Sequence, residues 1–243
     1  MAQNIYDDPA FFQAYSRLPR SKGGLDAAPE WPSLRALLPA LNGLRVLDLG
    51  CGYGWFCRWA LASGATEVTG VDLSARMLDR ARDMTPEPGI TYVQADLESF
   101  GLRDASVDLV YSSLAFHYVE DLQGLFRRAA AWLTPGASFV FSVEHPIYTA
   151  PRAPGWAIVD GREVWPLDRY LQEGVRTTNW LADGVVKQHR TIGTYVRLLR
   201  EAGFTLLAID EWGPGETQIQ HNPDWARERD RPMFLLIAAR RDA

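Results

Sequence analysis

The chain has 243 residues, 47% of them hydrophobic and 23% charged, with a formal net charge of −5, which suits one large domain or a domain with an insertion and needs no disulfide or metal staple. The acidic balance argues against a basic nucleic-acid-binding face, and the two cysteines, Cys51 and Cys57, are too few for a disulfide framework or a zinc site, so the expected setting is reducing and cytoplasmic. The start, "MAQNIYDDPAFF", does not read as a secretory signal, and the longest apolar run found ("FLLIAA", 234–239) is far below the roughly 20 residues of a membrane span.

In chain order, Asp8 is a helix N-cap candidate with Pro9 at the first helical position, and Phe11, Phe12, Tyr15 and Leu18 fall on one side of the helix that follows. After a turn-rich "PRSKGGLDAAP", "EWPSLRALLPAL" reads as a second short helix. Strands are predicted at 44–50, 67–73, 90–97, 107–114, 138–145, 204–212 and 233–240. Helices are predicted at 55–63, at 74–84 with Ser74 as cap, at 121–133 stopped by "TPGA", and at 191–202 closed by Gly203. This alternation predicts an α/β fold: a Rossmann-like, seven-stranded, mostly parallel sheet with helices on both faces. Residues 1–42 are expected to form an N-terminal helical cap, and 43–146 with 190–243 the core. The stretch 147–189, rich in Pro, Gly and charge, is a long insertion after the fifth strand, expected to be a lid or acceptor-site cover. Its three Trp and two Tyr argue against disorder.

Chemistry is concentrated in "VLDLGCGYGWFCRWA" (46–60), where Gly50, Gly52 and Gly54 follow a strand and let a ligand approach bare backbone. A dinucleotide fingerprint would need a glycine where Trp55 stands, and no Gly-Lys-Ser/Thr follows for a phosphate loop. Asp48 would repel a pyrophosphate and favour a cationic ligand.

This loop resembles the first motif of the class I S-adenosylmethionine-dependent methyltransferases, and "YDDPAFFQAYSRL" with "SVEHPIYTAP" resemble a bacterial small-molecule branch of them. The resemblance implies that Asp48, Gly50, Cys51, Gly52 and Gly54 cradle the methionine and ribose of the cofactor. It implies that Asp72, 22 residues after Gly50 and next to Leu73, takes both ribose hydroxyls. "ADLESF" (95–100) resembles the adenine-binding motif, with Asp96 accepting from the adenine amine and the Leu97 amide against the ring. "VDLVYSSLAFHYVED", which contains Ser112, resembles the strand that lines the methyl-donor site. "WLTPGASFVFS" and "LLREAGF" resemble later family phrases. S-adenosylmethionine is the implied cofactor, S-adenosylhomocysteine its product, and no metal is implied.

Methyl transfer from a sulfonium requires an in-line nucleophile, exclusion of water and, for a protonated nucleophile, a base. His117 after the fourth strand, Glu144 and His145 at the end of the fifth, and Tyr15 on the N-terminal helix are the candidates. Glu144 and His145 are adjacent, so only one can face the pocket. Tyr148 and His189 are weaker candidates, and His221 is expected to be solvated. The expected partner is a small-molecule acceptor, which the resemblance to that bacterial branch leans to an aromatic or indole-type heteroaromatic methylated at carbon or nitrogen, with no nucleic acid and no membrane; a homodimer is left open. The alternatives are methylation of RNA or protein and a non-catalytic sensor. Against the first, "SSLAFHY" stands where amino-methylating nucleic-acid enzymes carry an Asn/Asp-Pro-Pro-aromatic motif.

Overall fold

The helix starts are where the sequence signals place them. In the computed structural model, which describes residues 3–85 and 88–243, the Asp8 carboxylate accepts the Phe11 amide at 2.9 Å, and Pro9 opens α1 (Pro9–Tyr15). A 3-10 turn at Ile5–Asp7 precedes it, and α2 (Pro19–Gly23) and α3 (Trp31–Ala36) follow. The chain then alternates through β1 (Arg45–Leu49), α4 (Trp55–Ala62), β2 (Glu67–Asp72), α5 (Ala75–Asp83), β3 (Ile90–Gln94), β4 (Val107–Ser113), α6 (Leu122–Trp132) and β5 (Leu133–Glu144). Beyond β5 lie α7 (Pro146–Thr149) and two hairpins, β6 (Ala157–Val159) with β7 (Arg162–Val164), and β8 (Gly174–Trp180) with β9 (Ala182–His189). The chain returns through α8 (Ile192–Glu201), β10 (Phe204–Trp212), α9 (Glu216–His221) and β11 (Phe234–Arg241). Ser74 caps α5 by accepting the Met77 amide, Thr191 caps α8 in the same way, and Gly203 at φ +86° follows the end of α8.

Seven strands form one sheet in the order β10-β11-β5-β4-β1-β2-β3, parallel except where β11 runs antiparallel between β10 and β5. Strand alternation divides the core between its two faces. Leu47 and Leu49 of β1 face the side covered by α6 and α8, with Phe126, Phe141 and Leu199, whereas Val46 faces α3 and α4, with Trp31, Phe56 and Tyr111. Phe56 stacks on Tyr111 with ring centroids 3.5 Å apart. Among the described residues no helix is long and apolar enough to cross a membrane.

Several local expectations differ from the structure. "PRSKGGLDAAP" is not turn alone, because Pro19 opens α2 and a 3-10 turn follows at Gly24–Ala27. "TPGA" lies inside β5, where the pairing with β4 jumps from Val107–Leu133 to Leu109–Ser138 across Gly136 at φ +80°; Leu133, in extended conformation, ends α6. The third strand stops at Gln94, since Asp96 opens a turn by accepting the Glu98 amide at 2.9 Å. The stretch 147–189 carries two hairpins that its Pro and Gly content masks. β8 alternates half-buried and exposed residues along its length, and Leu181 at φ +61° makes the turn to β9.

Candidate active site

At the carboxyl edge of the sheet the chain leaves β1 through Gly50, Gly52 and Gly54, at φ +80°, +52° and +69°. A Cβ on Gly50 would collide with Ala115, and one on Gly54 with the hydroxyl of Tyr92, so these two positions require glycine on both conformational and steric grounds. The face of Gly52 is open. Asp72, at the end of β2, holds this loop: its Oδ2 accepts the Gly52 amide at 2.8 Å and its Oδ1 the Ser74 amide at 2.9 Å. Burial raises the Asp72 pKa, and these amides act in the opposite direction. Each oxygen keeps a lone pair for a ligand hydroxyl. Above the loop lies a cavity lined by Gly50, Gly52, Asp72, Leu73, Asp96 and Leu97, with no Lys or Arg among its described lining residues.

Asp48 lies on the α4 side of β1. It is 2% exposed, accepts from the Cys57 thiol at 3.3 Å, and lines an adjoining cavity that shares Gly50 and Gly52. Burial pushes its pKa up to about 7; the Cys57 thiol opposes the shift and the Asp72 charge adds to it. A carboxyl whose folded pKa lies above its unfolded value of 3.8 keeps its proton in the native state while the unfolded chain releases it. Stability therefore falls as pH rises from about 4 to about 7, and is flat beyond. Asp48→Asn should remove this loss, making the ligand-free protein more stable at pH 8 by on the order of 2–4 kcal/mol while changing little at pH 4. Urea denaturation of both proteins at the two pH values measures it; an equal difference at both would refute this role of the buried carboxyl.

A second cavity adjoins the first, and Tyr6, Tyr15, Leu114 and Tyr118 line both. The hydroxyls of Tyr6 and Tyr118 meet at 3.3 Å. Burial pushes the phenols of Tyr6, Tyr15 and Tyr118 above their ordinary range, so they stay protonated and act as donors. His117, also on this wall, has its pKa lowered to about 4 by burial, against the pull of Glu144. Its Nδ1 accepts the Glu144 amide at the long distance of 3.5 Å, which puts the ring proton on Nε2. A neutral ring with such a low pKa is a weak proton acceptor at neutral pH. Glu144 lines the cavity, and its Oε1 is 2.6 Å from the Nζ of Lys187 on β9.

His145 faces elsewhere, as alternation demands. It is fully buried, its Nε2 lies 2.9 Å from Glu211 on β10, and its Nδ1 accepts the Ile147 amide to cap α7. Ser112 is also turned away: its hydroxyl donates to the Leu49 carbonyl at 2.7 Å, and its neighbour Ser113 lines the cavities. Cys51 lines the Asp48 cavity, and Gly54 lines neither that cavity nor the first. Tyr148 lines the second cavity, and its ring stacks on Trp165. His189 is tied to Thr149 and the Tyr170 carbonyl. His221, at the end of α9, is exposed, as expected. Sequence reasoning missed Tyr6, Asp7, Tyr118, Trp180 and Lys187. Asp7 had a signal of sorts in "YDDP", since its carboxylate takes the Ser74 hydroxyl at 2.5 Å and the Arg76 amide at 3.1 Å, docking the N-terminal turn onto the start of α5.

An open, mostly parallel sheet with a crevice at its carboxyl edge, backbone amides presented by a glycine loop, and acidic side chains on a cavity with no Lys or Arg among its described lining residues suit a nucleoside ligand without phosphate. Comparison with known proteins agrees. Residues 47–141 match the methyltransferase domain family. The S-adenosylmethionine-dependent methyltransferase from Mesorhizobium loti is 58% identical, with a TM-score of 0.86 over 90% of this chain and 100% of that one. A protein from Listeria monocytogenes described as a putative S-adenosylmethionine-dependent methyltransferase is 39% identical, with a TM-score of 0.84 over the same shares. A malonyl-[acyl-carrier protein] O-methyltransferase from Pectobacterium atrosepticum is 35% identical over 72% of this chain and 68% of its own length. The chain belongs to the class I S-adenosylmethionine-dependent methyltransferases, and it is a methyl-transferring enzyme with S-adenosylmethionine as its cofactor. The observed cradle suits that molecule: the open face of Gly52 leaves room against the backbone, Asp72 can accept from a diol, and the first cavity, with acidic side chains and no Lys or Arg among its described lining residues, suits a sulfonium better than a pyrophosphate.

Proposed function

We propose that this enzyme methylates a small molecule held in the second cavity, and that the acceptor is a neutral aromatic or heteroaromatic, methylated at carbon or nitrogen. The observation that carries this reading is the wall of that cavity, where Tyr6, Tyr15, Tyr118, Tyr148 and Trp180 surround a space adjoining the cofactor cradle. Rings of this kind take flat apolar molecules and leave their hydroxyls as fixed donors. In this reading Asp72 holds the ribose, Asp96 and the Leu97 amide hold the adenine, and Gly50, Gly52 and Asp48 hold the methionine end. Cys51 and Leu73 pack beside them. The cofactor, when bound, supplies a methyl group already activated on a sulfonium, so the chain's task is to orient the acceptor and exclude water.

The N-terminal segment and the insertion serve as covers. Gln3 accepts the Val186 amide at 2.9 Å and donates to the Gly184 carbonyl at 3.0 Å, while Phe11 and Trp180 meet edge to face at 5.6 Å. Those contacts support residues 1–42 as a cap and 147–189 as an acceptor cover, residues 1–2 lying outside the described chain. His117 and Tyr15 shape the cavity and donate, and Glu144 is the remaining candidate to take a proton.

The Pectobacterium relative is named for O-methylation of malonyl-acyl carrier protein. A carboxylate acceptor would call for an unengaged cation. Of the cations at this wall, Arg20 is held by both oxygens of Glu30 at 2.9 and 3.0 Å, and Lys187 is held by Glu144. The test is incubation with S-adenosylmethionine and a panel of indoles, phenols, amines, carboxylates and malonyl-acyl carrier protein, read by mass spectrometry for a gain of one methyl. Methylation of a neutral ring compound is expected. Modification confined to the carrier-bound carboxylate, RNA or protein would overturn the proposal.

A further inference from the structure

The insertion lines a further cavity of about 330 Å³, between β8 and the chain after α7. Glu144, Tyr148 and Trp180 belong to its wall and to that of the second cavity, so the two are neighbours. Its polar wall is rich in donors. The Arg176 guanidinium donates only to main-chain carbonyls, those of Ala150, Arg169, Gln172 and Val175, at 2.6 to 3.4 Å. Arg152 is exposed, and its side chain makes no hydrogen bond or ion pair with another described residue; its main-chain amide donates to Asp168 at 2.9 Å. A guanidinium keeps its proton in proteins, so both side chains are cations. Asp168 and Arg169 act on Arg176 as opposite charges, and neither lines the cavity. Lys187 and Glu144, held to each other at 2.6 Å, add no net charge as a pair, whichever of them has the shared proton. Arg152 and Arg176 are therefore an excess of positive charge. Two neutral donors stand beside them. The Asn179 Oδ1 accepts the Gly184 amide at 3.3 Å, which leaves its nitrogen to donate. Thr177 pairs with Val186, whose amide is turned out of the hairpin to Gln3. Opposed residues of an antiparallel ladder turn their amides the same way, so the Thr177 amide lies at the edge of β8 that no strand covers.

We propose that this cavity is an anion site, in which Arg152, Arg176 and the donors of β8 hold a carboxylate or phosphate group. Oxyanions of this shape match the forked donors of a guanidinium, and an ammonium group would meet like charge there. The group has two sources: an acidic arm on the molecule whose ring is methylated, or a separate ion bound beside it. The first source rests on the small-molecule reading above, with the ring itself still neutral in the second cavity. The anion site rests only on its own wall. A charged arm anchored there orients the ring against the methyl donor without placing a cation at the reacting atom.

The experiment is calorimetric binding to the full chain saturated with S-adenosylhomocysteine, with indole, indole-3-acetate, indole-3-butyrate and inorganic phosphate as separate titrants. If the anion is an arm of the acceptor, at least one of the indole acids binds about tenfold or more tightly than indole. If it is a separate ion, phosphate binds and the indole acids gain nothing over indole. In either case Arg152→Gln should lower that affinity about tenfold and Arg152→Glu further, and added salt should weaken it. Indole itself should bind both variants as it binds wild type, because Arg152 does not line the second cavity. The thermal shift produced by S-adenosylhomocysteine, unchanged in each variant, shows that they fold. If neither the indole acids nor phosphate show the gain, or if it survives Arg152→Glu, the proposal is overturned. That failure is separable from failure of the broader reading, which is judged by whether any small molecule in the panel gains a methyl, while phosphate reads the anion site without any acceptor.

Discussion

Asp72→Ala should leave a folded protein that no longer binds S-adenosylhomocysteine measurably at concentrations that saturate wild type. The carboxylate has two tasks. It takes the amides of Gly52 and Ser74, fixing the glycine loop against the start of α5, and in the reading proposed above its remaining lone pairs go to the cofactor's diol. Hydrogen bonds to a charged group contribute about 1.5–3 kcal/mol each, so losing the two to the ribose alone weakens binding by about 10²- to 10⁴-fold. Removing a buried carboxylate whose pKa burial has raised relieves some desolvation, so the ligand-free fold should suffer less than the complex. A thermal shift series reads both effects, because the ligand stabilises only the native state. Asp72→Asn should fall between, since an amide retains one acceptor oxygen. A normal cofactor-induced shift in the alanine variant would remove Asp72 from the cofactor site.

Arg231→Leu should be the most damaging change outside the cofactor cradle. Arg231 is 3% exposed in the segment before β11, and it is ion-paired to Glu228. Its guanidinium lies 4.1 Å from the Trp165 ring centroid, 4.5 Å from that of Tyr148 and 5.4 Å from that of Trp156. One side chain thus clamps both ends of the first half of the insertion to the core. Breaking a buried ion pair from one side costs about 3–5 kcal/mol because the partner charge stays buried, and the lost ring contacts add to this. Urea denaturation should show that loss, and limited proteolysis should cut within residues 150–165 faster than in wild type. Glu228→Gln should show a smaller form of the same effect. A loss below about 1 kcal/mol would mean the clamp is incidental.

That Gly50, Asp72 and Asp96 meet at one edge of the sheet was legible in the sequence because they lie at strand ends in a fixed order. Gly50, Asp72 and Asp96 each follow an apolar run, and the order of strands then brings them to one edge. Ser112 shows the limit of that reasoning. Strand alternation is visible in a sequence, but which of two adjacent serines faces the crevice depends on the phase of β4 against β1, and Ser113 is the one that does. His117 shows another limit. Its position beside the methyl-donor strand was visible, while its weak basicity follows from burial among neighbours distant in the chain. Lys187 carried no signal, since an isolated lysine in a polar strand reads as solvated.

The sequence alone determined the α/β class, the seven strands of the main sheet within a residue or two except for the start of β5 and the end of β3, the helix caps and the glycine loop after β1. Each of these rests on short-range chemistry: side chains that alternate every second residue, a hydroxyl or carboxylate within reach of the next free amides, glycine where φ must be positive. Tertiary structure decided what no short window contains. It brought Tyr6, Tyr118 and Trp180 to one wall, buried Lys187 against Glu144, turned His145 away to Glu211, and folded residues 147–189 into hairpins clamped by Arg231. These outcomes depend on contacts between residues tens to more than a hundred positions apart, whose free energy comes from burial and pairing in the assembled fold.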